Sequence, residues 1–390
     1  MRLFSSEGLA APTGWGQFRP VSRKRLEERA REVELAAEEA LTDDPAFAPE
    51  VVKEGAAQLH RDIVAAWNSG DRDALGKLIG PDLLVEWARR LDDFDRMGWR
   101  NTTEVLGEPQ VDYVGLVNRS EEDEDRCTVR IEVPLRDVVL DRNGAMVTRN
   151  DDANADGLVT LAEFWTLGKR PAEDGTARWT LVSIEQDAEG AHHLDAPIVA
   201  SPWSDDRLRD MAVTEQAVAS AVADDQVRGI ADLDFDGDAR TAALDMANID
   251  GRFAPDVLEA AARRALGGWA EAVDGDDAAL EAIATPDAVQ ALLHPGDPSR
   301  RSRLVVRGPK LRALRIVALD AATDPPTMTV EAEVAGRRYV EDRDTTTVVE
   351  GSKGREVVFT ERWTMGLSGH DDTPWRIVDA NASVIRPSLR

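Results

Sequence analysis

Twice along the chain, the apolar positions shift from helical spacing to strand spacing. Between Phe47 and Gly98 they recur every three to four residues, as Val52, Ala56, Leu59, Ile63 and Trp67, then as Leu84, Trp87, Leu91 and Phe94. This spacing predicts two amphipathic helices with a short one around Ala74 to Ile79 between them. Gly70 and Gly98 are the predicted stops, and Pro81-Asp82 the predicted start of the last helix. From Val111 the period falls to two: Val111, Tyr113, Gly115 and Val117 alternate with polar residues, as do Val129, Ile131, Val133 and Leu135. Ahead of Phe47, a Ser22-capped helix carries Leu26, Ala30, Val33, Ala37 and Leu41, and residues 1–21 read as an irregular tail.

The strands end in a segment that occurs twice. Leu161 to Ile184 reads as a hairpin in which a strand with Glu163 and Trp165 meets a strand led by Trp179; Phe359 to Val378 repeats it with Glu361, Trp363 and Trp375. Upstream matches keep the same order. Phe253-Ala254-Pro255 answers Phe47-Ala48-Pro49 at an offset of 206, Pro286-Asp287 answers Pro81-Asp82 at 205, and Trp375 answers Trp179 at 196. Collinear matches with a steadily falling offset are those of a duplication with small loop deletions. The predicted fold class is α+β: two tandem cone-shaped domains, each of about three helices packed on a curved antiparallel sheet of about four strands. The predicted boundaries are 1–46 for the tail and basic helix, 47–186 for the first domain, 187–252 for a connector with two helices, and 253–390 for the second domain.

The segments GDRDALGKLIGPDLLVEW, LAEFWTLGK and RWTLVSI, and more weakly GDDAALEAI, FTERWTMG and PWRIV, resemble the Tim44-like domain family. That family comprises the C-terminal domain of the mitochondrial inner-membrane import scaffold and its bacterial relatives, within the nuclear-transport-factor-two-like superfamily. The resemblance spans roughly 47–186 and 253–384. It implies a cone-shaped α+β fold and a non-enzymatic, membrane-associated scaffold or adaptor.

Charge narrows the partners. With 47 Lys and Arg against 74 Asp and Glu, the net charge is −27, which opposes the phosphate contacts of nucleic-acid binding. The one basic stretch, Arg19, Arg23, Lys24, Arg25, Arg29 and Arg31, is read mainly as a solvated helix face, with docking to an acidic partner or anionic lipid as the alternative. A single cysteine excludes an internal disulfide. Neither a signal peptide nor a transmembrane run is recognised, so the expected location is cytoplasmic, with peripheral membrane contact allowed.

Three candidate sites remain. DANADGLVTLAE fits a calcium-loop pattern with Asp152, Asn154, Asp156 and Glu163 as ligands, but predicted strands flank it where an EF-hand has helices. His192, His193 and Asp195 offer an incomplete metal set and read as a polar hinge. Strand alternation puts Glu163 and Trp165, and likewise Glu361 and Trp363, on the more apolar face, which makes them pocket candidates. No catalytic residue is assigned and no cofactor is expected, calcium being the one exception considered. The reading is therefore a protein-binding adaptor, not a catalyst. Its alternatives are a small-molecule binder or enzyme using the cone interior, and a calcium-dependent binder.

Overall fold

The computed structural model describes residues 21–119, 122–149, 153–171, 177–187, 189–202, 234–236, 238–275, 277–368 and 373–385. The chain divides into two compact units, Met1–Asp205 with Asp342–Thr347, and Asp206–Glu341 with Val348–Arg390.

In the first unit, α1 (Arg23–Ala40), α2 (Pro49–Ser69), α3 (Arg72–Leu78) and α4 (Pro81–Met97) precede six strands. These are β1 (Arg100–Val105), β2 (Gln110–Val117), β3 (Arg126–Leu140), β4 (Met146–Arg149), β5 (Leu158–Pro171) and β6 (Ala177–Gln186). Proline opens α2 and α4, where its missing N–H costs no helical bond, and Gly70 and Gly98 close them at φ +68. The long β3 organises a curled antiparallel sheet. It pairs with β2 and then β1 along one edge, and with β5 and β4 along the other. The apolar stripe of α2 (Val52, Ala56, Leu59, Ile63, Trp67) packs into one core with Val129, Ile131, Val133, Trp165 and Leu167 from the sheet.

The second unit has α5 (Ala239–Ala247), α6 (Pro255–Ala272), α7 (Ala278–Ile283) and α8 (Pro286–Leu293). Its strands are β7 (Asp234–Phe235), β8 (Ser302–Asp320), β9 (Thr327–Asp342), β10 (Val348–Gly351), β11 (Val357–Leu367) and β12 (Trp375–Ile385). The order β12-β11-β9-β8-β7 is antiparallel along β12-β11-β9 and parallel at the short β7. Val257, Ala261 and Trp269 of α6 meet Phe359, Trp363 and Met365 of β11 in a separate core.

The same fastening holds the last strand in each unit. Trp179 Nε1 donates to the Ala46 carbonyl at 3.0 Å, and Trp375 Nε1 to the Arg252 carbonyl at 2.9 Å. Asp44 and Asp250 cap the turns that present those carbonyls. Main-chain N–H groups of Gly80 and Thr285 then donate to Leu181 and Ile377 of the Trp-led strands.

Three sequence expectations need adjustment. Each unit has six strands among the described residues, not about four: β1 and β4 are short or polar, so neither gives a clear apolar alternation. The basic helix α1 is no separate extension, because Leu26, Val33, Ala37 and Ala40 are buried in the first unit. The start of the expected connector also belongs to that unit, through the buried Leu194. Of the two helices expected in the connector, one lies outside the described residues, and α5 is the other.

Candidate functional site

The interior candidates sit where strand alternation puts them. Glu163 and Trp165 are each 1 % exposed, and Trp165 Nε1 donates to Glu163 Oε2 at 3.1 Å. Glu163 Oε1 has no hydrogen-bond partner among the described residues, and burial raises the carboxyl pKa above its ordinary value. His60, fully buried on α2, lies 5.5 Å from the Trp165 ring, and both its nitrogens lack hydrogen-bond partners among the described residues. Burial, with Arg61 as a smaller contributor, lowers its pKa to about 4, so the ring is neutral at physiological pH. The sequence signal for His60 is its place beside Leu59 on the buried stripe of α2.

The second unit keeps the positions but not the bond. Glu361 and Trp363 are buried, and Trp363 Nε1 has no hydrogen-bond partner among the described residues. Trp363 packs against Trp269, with ring centroids 5.8 Å apart. The two tyrosines give no exposed phenol. Tyr113 OH lies 3.1 Å from the buried Cys127 Sγ, and burial raises both pKa values. Tyr339 is buried as well.

The calcium pattern is divided by the fold. Asn154 Oδ1 accepts from the N–H groups of Asp156 and Leu158, forming a tight turn between the strands β4 and β5. Gly157 takes φ +81 there, while Glu163 is committed to the interior through Trp165. Asp152 lies outside the described residues.

The docking candidates do not form a uniform face. Arg29 is buried and donates to the carbonyls of Val114 and Ala196; burial, its largest influence, lowers its pKa. Arg23 pairs with Asp112 and Glu27, and Arg25 with Asp195. Lys24 and Arg31 are exposed, and Arg19 lies outside the described residues.

Two clusters form only in the fold: one went unnoticed in the sequence because its members are distant along the chain, and the other was seen there without its carboxylate. Lys169 is buried between Asp44 and Asp125, 2.7 Å from Asp125 Oδ2, with its ammonium over the rings of Phe47 and Trp179. The second joins Glu185 at the end of β6 to a 3₁₀ turn, Gly190–Asp195, that carries His192 and His193. Glu185 Oε1 is 2.9 Å from His193 Nε2, and Oε2 is 3.4 Å from His192 Nδ1. This set of two imidazoles and a carboxylate could hold a metal ion. Asp195, the carboxylate expected to join the histidines, pairs with Arg25 instead.

The fold and sequence of the first unit define an α+β domain of a recognised class. Residues 33–186, in the first unit, match the family model of the Tim44-like domain. No curated protein matches the chain. Among solved structures, the intermembrane space region of the chloroplast protein ARC6 is similar at 13 % identity and TM-score 0.23, over 33 % of this chain and 95 % of that one. An Ntf2-like protein involved in plasmid conjugation is similar at 9 % identity and TM-score 0.20, over 87 % and 98 %. At such scores neither likeness bears on function. No described helix is long and apolar enough to cross a membrane.

Proposed function

We propose that this protein is a non-enzymatic binding or adaptor module, a membrane-peripheral scaffold in the cytoplasm, built from a duplicated Tim44-like domain that engages a protein partner. The observation that carries this reading is the filling of the two interiors. Trp67, Trp87, Phe94 and Trp165 pack into one core, and Trp269, Phe359 and Trp363 into the other. Such packing leaves the outer surfaces as the functional part of the molecule. Duplication is supported by the paired Trp179–Ala46 and Trp375–Arg252 hydrogen bonds, which join equivalent positions of the repeat. Lys24, exposed but paired with Glu28, and exposed Arg31 are the cations of α1 nearest to serving an acidic protein or lipid surface.

The test is affinity capture with the full chain, run beside vesicle co-sedimentation and a thermal-shift screen of small molecules. A stoichiometric protein partner supports the adaptor reading. A metabolite that raises the melting temperature of the wild type but not of Glu163→Gln would transfer the function to the interior. That second reading is favoured by one observation: Glu163 and His60 are buried beside the same tryptophan, each with polar atoms lacking a partner.

A further inference from the structure

We propose that Glu185, His192 and His193 form a site for a divalent transition metal of the zinc class. One ligand atom from each of the three lies within 4.8 Å of the other two. The carboxylate lies 2.9 Å from His193 through Oε1 and 3.4 Å from His192 through Oε2. A tetrahedral zinc ion with bonds of about 2.0–2.2 Å sets neighbouring ligand atoms about 3.3–3.6 Å apart. Both contacts lie near that spacing, each through its own oxygen of the one carboxylate. The metal would take the place of the hydrogen bond between Glu185 and His193.

Adjacent histidines seldom converge, because successive side chains on a 3₁₀ turn point about 120° apart. Here convergence comes from using opposite ends of the two rings. His193 reaches the carboxylate with Nε2, at the far end of its ring; His192 faces it with Nδ1, which would exchange its 3.1 Å hydrogen bond to the Glu189 carbonyl for the metal. The rings lie 4.2 Å apart, centroid to centroid.

Several contacts hold this arrangement before any ion arrives. Phe164 stacks on His193 at 5.8 Å. Gly190 lets the turn approach that same ring, since a Cβ there would lie 2.4 Å from Phe164. Leu194 is buried with Leu26, Val114 and Phe164, and Asp195 is tied to Arg25 on α1. A turn anchored at both ends can impose ligand geometry in a way that a free connector cannot.

The ligand set selects the metal. Two imidazole nitrogens and one carboxylate suit zinc, nickel, cobalt or iron(II), whereas calcium and magnesium prefer shells of oxygen. His192 is only partly covered, which gives an ion a route from solvent.

The experiment uses the full chain stripped with chelator and then titrated with Zn²⁺ against a chromophoric competitor. Co²⁺ is added in parallel, so that its visible absorption reports nitrogen and oxygen coordination. One Zn²⁺ per chain should bind saturably in the micromolar range, and Ca²⁺ should not compete. Glu185→Gln and His192→Ala should each weaken binding by about tenfold or more. His192 is partly exposed, so its variant is expected to fold, and circular dichroism checks this. No saturable Zn²⁺ binding, or affinity equal to wild type in both ligand variants, overturns the proposal.

Discussion

Trp375 and Arg252 are joined by an indole N–H donated to a main-chain carbonyl at 2.9 Å, across 123 residues of sequence. Phe253 packs edge-on against the same indole at 5.5 Å. The bond secures the last strand pair to the turn that starts α6, as Trp179 and Ala46 do in the first unit.

Trp375→Phe keeps most of the ring packing but removes the indole donor from the Arg252 carbonyl. The expected cost is about 1–3 kcal/mol, the penalty for a buried acceptor that loses its partner. Differential scanning calorimetry should show a lowered unfolding temperature for Trp375→Phe. If the two units are separate cores, Trp179→Phe should lower a different transition. Equal shifts of a single transition in both variants would count against independent units.

Lys169 presents a different problem, since it is buried with its acidic partners. Burial lowers its pKa to about 8 and raises that of Asp125 to about 6. At pH 7 both groups are therefore still charged, and the pair is retained. Lys169→Met leaves Asp125 as an uncompensated buried charge, at an expected cost of about 3–5 kcal/mol. Adding Asp125→Asn should recover a large part of that loss. Denaturant titration of the single and double variants measures the recovery, and none at all would mean that Lys169 acts through packing on Phe47 and Trp179.

His60 should give the first unit an acid-sensitive step. Its folded pKa, about 4, lies below the ordinary value of 6.5, so the unfolded chain takes up the proton more readily. The neutral ring's contribution is complete above pH 6.5 and is lost as pH falls towards 4, up to about 3 kcal/mol. His60→Leu should flatten stability across this window. It should also raise stability at low pH, because leucine fills the site without two nitrogens that need partners. Unfolding midpoints measured every half pH unit test this, and parallel curves for the two proteins would refute it.

The fold was legible in sequence to the extent that period and punctuation agree. The α2 stripe, the Gly70 and Gly98 stops and the β5–β6 hairpin all follow from local chemistry. What local chemistry hides is pairing at long range. Arg29 reads as one more surface cation, yet it is buried against the Val114 and Ala196 carbonyls because α1 folds back onto β2. In β1, Asn101 and Thr103 are polar and face inward, where Trp67 and Asp137 satisfy them, so the strand lacks an apolar alternation. The His192–His193 pair was visible in the sequence, but Glu185 becomes its neighbour only when the 3₁₀ turn folds over the end of β6.

Glu163 provides the sharpest test of the interior. Burial raises its carboxyl pKa above the ordinary value, which means that the folded state favours the protonated form. The stability associated with that proton is complete below the unfolded pKa and is lost as pH rises through the folded one. Glu163→Gln removes the ionisation while keeping a carbonyl that can accept from Trp165 Nε1. The variant should therefore match the wild type near pH 4 and exceed it in stability at pH 7. Glu163→Leu also removes the charge, but it strands the Trp165 indole N–H, at a cost of about 1–3 kcal/mol relative to the amide. The expected order at pH 7 places Gln above both Glu and Leu, read from urea midpoints at fixed slope. A glutamine variant less stable than wild type at pH 7 would show that the folded protein uses the ionised carboxylate. The interior would then regain its claim to be the functional site.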